Sequence, residues 1–196
     1  MFKYSLRTLK EKDLDTVLRW RNDERIRQSM YNDQIITEKQ HQQWFKNVNS
    51  SKTEHYFIFT VDHKDTGFVS FKDVDHKNNH CYWGFYIGEA QSQKGSGSVM
   101  GFLALEWAFQ QLEVEKVYGE VLSNNEKSLS YHQSLGFSKE GLFRNHIARN
   151  NGYLDVIRYG LLKEEWMAEK QKVMKKLVDR GIDKKDLDTN FNELMI

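Results

Sequence analysis

Ile87-Gly88-Glu89-Ala90-Gln91-Ser92-Gln93-Lys94-Gly95-Ser96-Gly97-Ser98 runs from the end of a β-rich segment into the longest helical pattern of the chain. Glycines let a backbone turn tightly and bring N–H groups against a ligand without interference from a Cβ. The helix that follows adds unpaired N–H groups and a positive dipole end, and Lys94 adds a full charge, a combination suited to a pyrophosphate. On spacing alone an ordinary strand-to-helix loop is the equal alternative. Two other nucleotide motifs are excluded. A Rossmann fingerprint needs a third glycine where Met100 stands, and no Gly-Lys-Ser/Thr follows four spacer residues as a Walker A loop requires.

Working outward, Tyr56–Val61, Gly67–Val74 and Cys81–Ile87 are β-rich runs separated by polar turn clusters, a meander leading into the glycine loop. Beyond it, Val99, Phe102, Leu105, Phe109 and Leu112 recur at helical spacing and predict a helix over Gly95–Leu112. A strand at Val117–Leu122, a helix at Asn125–Leu135, closing strands at Phe137–His146 and Tyr153–Leu162 and a last helix at Lys163–Arg180 follow. Upstream, Phe2–Leu9 reads as a strand. Thr8 with Glu11 then reads as a capping box for a helix through Val17, Leu18 and Trp20, and Thr37 with Gln40 as a second, opening a helix that carries His41, Trp44 and Phe45. Arg21–Ile36 between them is polar, with Ile26, Met30 and Ile36 interspersed. A meander feeding a βαβ unit predicts a mixed α/β fold.

With 196 residues, 29 Lys+Arg against 28 Asp+Glu and one cysteine, the chain reads as one domain that can bury a real core. A net charge of +1 lacks the basic footprint of a nucleic-acid binder. No apolar run has the length of a membrane span and the start MFKYSLRTLK has no signal-peptide core, so a cytoplasmic protein is expected. Cys81, in an apolar run, reads as core rather than nucleophile. His76, His80 and Cys81 lack a fourth ligand at ordinary spacing and read as a polar hairpin, so no metal is expected. The tail past Arg180 is charged, with Leu187, Phe191, Leu194 and Met195 scattered through it.

A second motif, Asn125-Glu126-Lys127-Ser128-Leu129-Ser130-Tyr131-His132-Gln133-Ser134-Leu135-Gly136-Phe137, begins with a good N-cap and ends with glycine where a helix C-cap belongs. With the Gly95/Gly97 loop it resembles the GCN5-related N-acetyltransferase (GNAT) superfamily over about Phe2 to Trp166. Two positions depart from that pattern: Ser92 stands where Gln or Arg is usual, and His132 where tyrosine is usual, with Tyr131 one place earlier. The resemblance implies a single-domain α/β GNAT fold, with a mostly antiparallel mixed sheet flanked by helices. Residues 1–166 would form the catalytic domain and 167–196 a helical extension. It also implies acetyl-CoA as co-substrate, held by Tyr86, Ile87, Gly88, Lys94, Gly95, Ser96, Gly97, Ser98, Asn125 and Ser128. In that family the strand matching Cys81–Ile87 splays from its neighbour to pair with pantetheine and supplies an oxyanion-binding amide near its end, with Gly88 and Glu89 at the split.

Direct transfer to an amine needs a free amine lone pair, oxyanion stabilisation and a proton for the departing thiolate. In Val117-Tyr118-Gly119-Glu120-Val121, Tyr118 and Glu120 share the strand face opposite Val117, Gly119 and Val121. A carboxylate inside an apolar strand either pairs with a cation or faces a solvated cleft; the second makes Glu120 the base. His132, at the tyrosine position, is the candidate acid, with a helix-surface histidine as the alternative. Trp20-Arg21-Asn22-Asp23, Met30-Tyr31 and Thr37…His41…Trp44-Phe45 are similar to the acetyltransferases of pseudaminic acid synthesis, which act on a UDP-linked 4-amino-4,6-dideoxy sugar. That resemblance places Arg21, Met30, His41 and Tyr86 at the nucleotide half and Ser70 and Glu120 nearer the amine. A polyamine site would be lined by acids, whereas this region carries Arg19, Arg21, Arg25 and Arg27. The expected partner is a small-molecule amine, a nucleotide sugar, with no nucleic acid or membrane; a homodimer is compatible with this reading. A ribosomal-protein-type N-terminal acetyltransferase and a non-catalytic acyl-CoA sensor are the alternatives.

Overall fold

A computed structural model describes residues 2–150 and 152–187. Strand β1 (Tyr4–Thr8) leads through a 3₁₀ turn at Glu11–Asp13 into α1 (Leu14–Asn22), α2 (Glu24–Arg27) and α3 (Glu38–Asn49). The meander is β2 (His55–Val61), β3 (Lys64–Asp75) and β4 (His80–Ile87), followed by α4 (Ser96–Gln111), β5 (Lys116–Leu122) and α5 (Glu126–Ser134). The long hairpin of β6 (Ser138–Arg149) and β7 (Gly152–Leu162) precedes α6 (Lys163–Val178). The sheet order is β1-β2-β3-β4-β5-β7-β6. Every neighbouring pair is antiparallel except β4 with β5.

That exception positions the site. The two strands pair through three rungs only, His80 with Lys116, Cys81 with Val117 and Tyr82 with Tyr118, and then part. Asn79 O accepts the Lys116 amide at 3.1 Å, and Gly88 N donates to Thr66 O on the opposite side at 2.9 Å. Because bonding direction alternates along a strand, Trp83, Phe85 and Ile87 turn their backbone groups into the gap, while Gly84 and Tyr86 bond toward β3.

Side chains alternate across the sheet and define two layers. On one face, Phe57, Phe59, Val69, Phe71 and Trp83 pack against α4 and α6. From Val99 to Phe109 helix α4 is apolar at every position but Glu106 and accordingly buried all round, as expected of a helix running through a core. On the other face, Tyr56, Ile58 and Phe68 pack against Val17, Trp20, Ile26 and Val48 from the first three helices. Helix α6 joins the first layer through Trp166, Val173 and Leu177, with Leu187 beyond it. Glu106, in the middle of α4, accepts from Trp166 Nε1 at 2.6 Å and Lys170 Nζ at 3.3 Å.

Two local expectations change. The Thr37–Gln40 capping box forms, but the first helix does not start from Thr8 and Glu11. Its entry is held by buried Asp13, which accepts from the Lys10 amide at 2.8 Å and from both terminal nitrogens of Arg7. The polar segment after Arg21 contains α2, whose N-cap is Asp23. Of the apolar tail positions, Leu187 is buried, whereas Phe191, Leu194 and Met195 lie outside the described residues. No helix among the described residues is long and apolar enough to cross a membrane.

Candidate active site

The parted strands open into a cavity of about 1180 Å³ between the sheet and the first three helices. Arg21, Met30, His41, Ser70 and Tyr86 all line it, as do Glu120, His132, Ile87, Gly97, Asn125 and Ser128. Residues far apart in sequence thus converge because even-numbered positions of β4 and β5 face the layer of α1–α3, while the gap between the two strands admits Ile87 and residues of α4 and α5 from the other layer.

The glycine loop behaves partly as read. Gly95 takes φ +93°, a left-handed conformation open to glycine at no steric cost, and starts α4. Ser96 N donates to Gln93 O at 3.0 Å and Ser98 N to Gly95 O at 2.9 Å, whereas the Gly97 amide makes no bond among the described residues. The Ser96 hydroxyl is buried and has no partner among the described residues. An open amide and an orphaned hydroxyl at a helix N-terminus fit an anionic group. Lys94 departs from the expectation: it lines a separate hollow of about 410 Å³ with Tyr4 and Arg180. Gly88 is set by packing, since a Cβ there would stand 2.1 Å from the Trp20 ring. The amides of Gly88 and Glu89 both donate to Thr66 O, at 2.9 and 3.1 Å, and are not free for an oxyanion. The amides that face the gap are those of Trp83, Phe85 and Ile87. Tyr86 reaches the cavity by its side chain instead, with burial raising its phenol pKa. Asn125 caps α5, its Oδ1 accepting from Ser128 N at 3.1 Å.

Glu120 meets both environments considered for it. Arg158 Nη2 and Nε donate to Oε1 at 2.5 and 3.0 Å, and the Tyr31 hydroxyl donates to Oε2 at 2.5 Å. Arg158 stacks over the Tyr118 ring at 4.6 Å. Burial, then Glu120, holds the Tyr31 phenol protonated well above its usual range. Tyr31 and Arg158 escaped the sequence reading, although Arg158 gives the same signal as Glu120, a charge inside the apolar run Val156-Ile157-Arg158-Tyr159.

His132 is not on the helix surface: it is 2% exposed. Its Nδ1 lies 2.8 Å from Ser128 O and so carries the proton, while Nε2 accepts from Trp83 Nε1 at 3.2 Å. Burial depresses its pKa to about 4. A neutral imidazole with both nitrogens engaged ties α5 to β4 and has no free N–H for a thiolate. The neighbouring Tyr131 donates its hydroxyl to Gly97 O at 2.6 Å and is likewise engaged.

The nucleotide-side residues divide. His41 is buried, donating Nε2–H to Leu14 O at 3.0 Å and stacking on Trp44 at 5.0 Å, which joins α3 to α1. Arg21 donates Nη2 to Asn32 O at 2.6 Å, but its Nη1 is buried without a partner among the described residues. Cys81 is fully buried at the middle rung of the β4–β5 joint, its thiol pushed up to about 12 by desolvation.

A sheet parted beside a glycine-started helix, opening onto a cavity, is the architecture of the N-acetyltransferase class. The chain belongs to the acetyltransferase (GNAT) domain family, whose model matches residues 4–138. Among curated relatives, an uncharacterized prophage-derived N-acetyltransferase, YokL, of Bacillus subtilis is 33% identical over 59% of this chain and 66% of its own length. Spermidine N(1)-acetyltransferase of Escherichia coli K12 is 26% identical over 60% of this chain and 63% of its own. Acetyltransferase PseH of Campylobacter jejuni 81-176 is 25% identical over 66% of this chain and 80% of its own. The first curated relatives are thus matched over less than two thirds of their length. A crystal structure of spermidine N-acetyltransferase from Vibrio cholerae, in complex with CoA and spermine, superposes with a TM-score of 0.80 at 20% identity, covering 84% of this chain and 98% of that one. Similarity is therefore no greater to PseH than to the spermidine acetyltransferases.

Proposed function

We propose that the chain moves an acetyl group from acetyl-CoA directly onto a primary amine, and that the amine is carried by an anionic molecule, a UDP-linked amino sugar. The observation that carries the acceptor class is the lining of the cavity, where five basic side chains (Arg21, Arg25, Lys72, Lys127, Arg158) face two acids, Asp73 and Glu120. The buried Arg21 Nη1, without a partner among the described residues, is a donor for an acceptor such as a phosphate oxygen. Met30 and Tyr86 offer apolar surface beside it. A polyamine is the second reading, supported by the spermidine acetyltransferase relatives and opposed by this excess of positive charge.

Acetyl-CoA, when bound, supplies the activated acyl carbon and the thiolate leaving group. The chain offers the Gly97 amide and the Ser96 hydroxyl to the diphosphate, and the edge of β4 from Trp83 to Ile87 to the pantetheine arm. Glu120 orients the amine and takes its proton, directly or through water, as the N–C bond forms and the C–S bond breaks, and CoA leaves as a thiolate that takes its proton from solvent in the cleft. His132 holds the gap's geometry and supplies no proton. An acetyl-CoA assay across UDP-amino-sugars, spermidine and peptide N-termini tests the reading. Transfer to the sugar nucleotide is expected; turnover of spermidine or of peptides alone rejects the acceptor class. Binding of acetyl-CoA with transfer to none of them supports a sensor.

A further inference from the structure

The segment 28–37 has neither helix nor strand, yet it is tied down as a strap across the mouth of the cavity. Arg149, at the tip of the β6–β7 hairpin, donates Nη2 to Met30 O at 2.5 Å and Nη1 to Tyr31 O at 3.2 Å, and pairs through Nε with Asp33 at 3.4 Å. Arg27 Nη1 donates to Asp33 O at 2.5 Å, and the Asn22 side chain bonds both the amide and the carbonyl of Ile36. From this strap Tyr31 reaches inward, edge-on to His146 at 6.2 Å, and its hydroxyl lands on Glu120 Oε2.

The Glu120 side chain is only 12% exposed. It is covered by Arg158 on one oxygen and Tyr31 on the other, so a molecule that is to bond it fully has to displace one of them. Arg158 is fixed: two N–H groups on Oε1, a stack on Tyr118 and a place in the ladder between β5 and β6. Tyr31 makes one hydrogen bond to the carboxylate, is 39% exposed and belongs to the strap. We propose that Tyr31 is the acceptor-side gate of Glu120, its hydroxyl standing in for the incoming amine N–H, and that Arg149 is the latch that holds the gate shut. This rests on the reading of Glu120 as the group that receives the amine.

Tyr31→Phe keeps the ring in its packing and removes only the competing O–H. With acetyl-CoA saturating and the amine that the assay identifies, the variant is expected to lower the acceptor KM about five-fold, the factor corresponding to a net hydrogen bond of ordinary strength, with the change in KM rather than kcat. An unchanged or raised KM overturns the gate. The latch is read separately and without any amine: in Arg149→Gln, deuterium uptake over residues 24–36 rises while uptake in α4 stays as in the parent. Unchanged uptake over 24–36 overturns the latch. Should no amine be turned over by the parent protein, the proposed function fails; a rise in strap exchange then still supports the latch by itself.

Discussion

At the scale of single residues, the environment of a group decides its role more than its type. His132 is buried and depressed to about 4, so folding favours its neutral form. An unfolded histidine near 6.5 binds a proton that the folded one refuses, and stability therefore falls as pH drops through the interval between those values. Buried His41 and half-buried His55 are shifted in the same direction. For His132 alone the loss amounts to roughly 3 kcal/mol once pH is below both values. Thermal melts from pH 7 to 4 should show this decline, less steep in His132→Gln; an equally steep slope in that variant would place the cause elsewhere. Glu120→Gln keeps the shape and removes the proton acceptor. Transfer is expected to fall by about 10²–10⁴-fold, with acetyl-CoA affinity retained in calorimetry. The spacing of the second motif located His132, but nothing local to it foretold Trp83, 49 residues away, as the partner of Nε2. Tyr31 stood in the Met30-Tyr31 stretch with nothing to mark it as a partner of Glu120, because their meeting spans 89 residues and depends on how an irregular segment lies.

Among the elements, those with a strong local code were legible. Thr37 and Asn125 cap their helices as read, and the apolar repeat from Val99 to Phe109 marks α4. Where a distant group takes over, local patterns mislead. The start of α1 is governed by Asp13, held by Arg7, which also reaches Asp65 on β3. Helix α2 has four residues, too few for any periodicity to register. Helix α1 meets the end of β4 where Trp20 lies on Gly88. Gly88→Ala drives a Cβ into a ring that is 1% exposed, and a destabilisation of about 1–3 kcal/mol is expected in denaturant melts. Helix α6 docks on α4 through Glu106, and Glu106→Ala leaves Trp166 Nε1 and Lys170 without their shared acceptor. A loss of about 3 kcal/mol should follow, with faster deuterium exchange in α6, and Glu106→Gln should recover part of it.

For the molecule as a whole, the layered α/β architecture followed from the order of elements, and the basic character of the cavity followed in part, from Arg21 and Arg25; Lys72, Lys127 and Arg158 join them only through the fold. The net charge of +1 hides a site whose charged lining residues are mostly basic. Ionic strength therefore separates the acceptor classes: salt screens attraction between the cavity and an anionic amine, raising its KM, and screens repulsion of a polyamine, lowering it. A KM that falls with added salt would count against the nucleotide sugar. The three-rung joint between β4 and β5 has a practical corollary as well. The chain's lone cysteine sits on the middle rung, sealed from solvent, so a thiol-alkylating reagent reaches it only when the joint comes apart. Mass-spectrometric labelling of the native protein would thus time the separation of the two half-sheets without any engineered probe, and a saturating co-substrate bridging the crevice should make that event rarer.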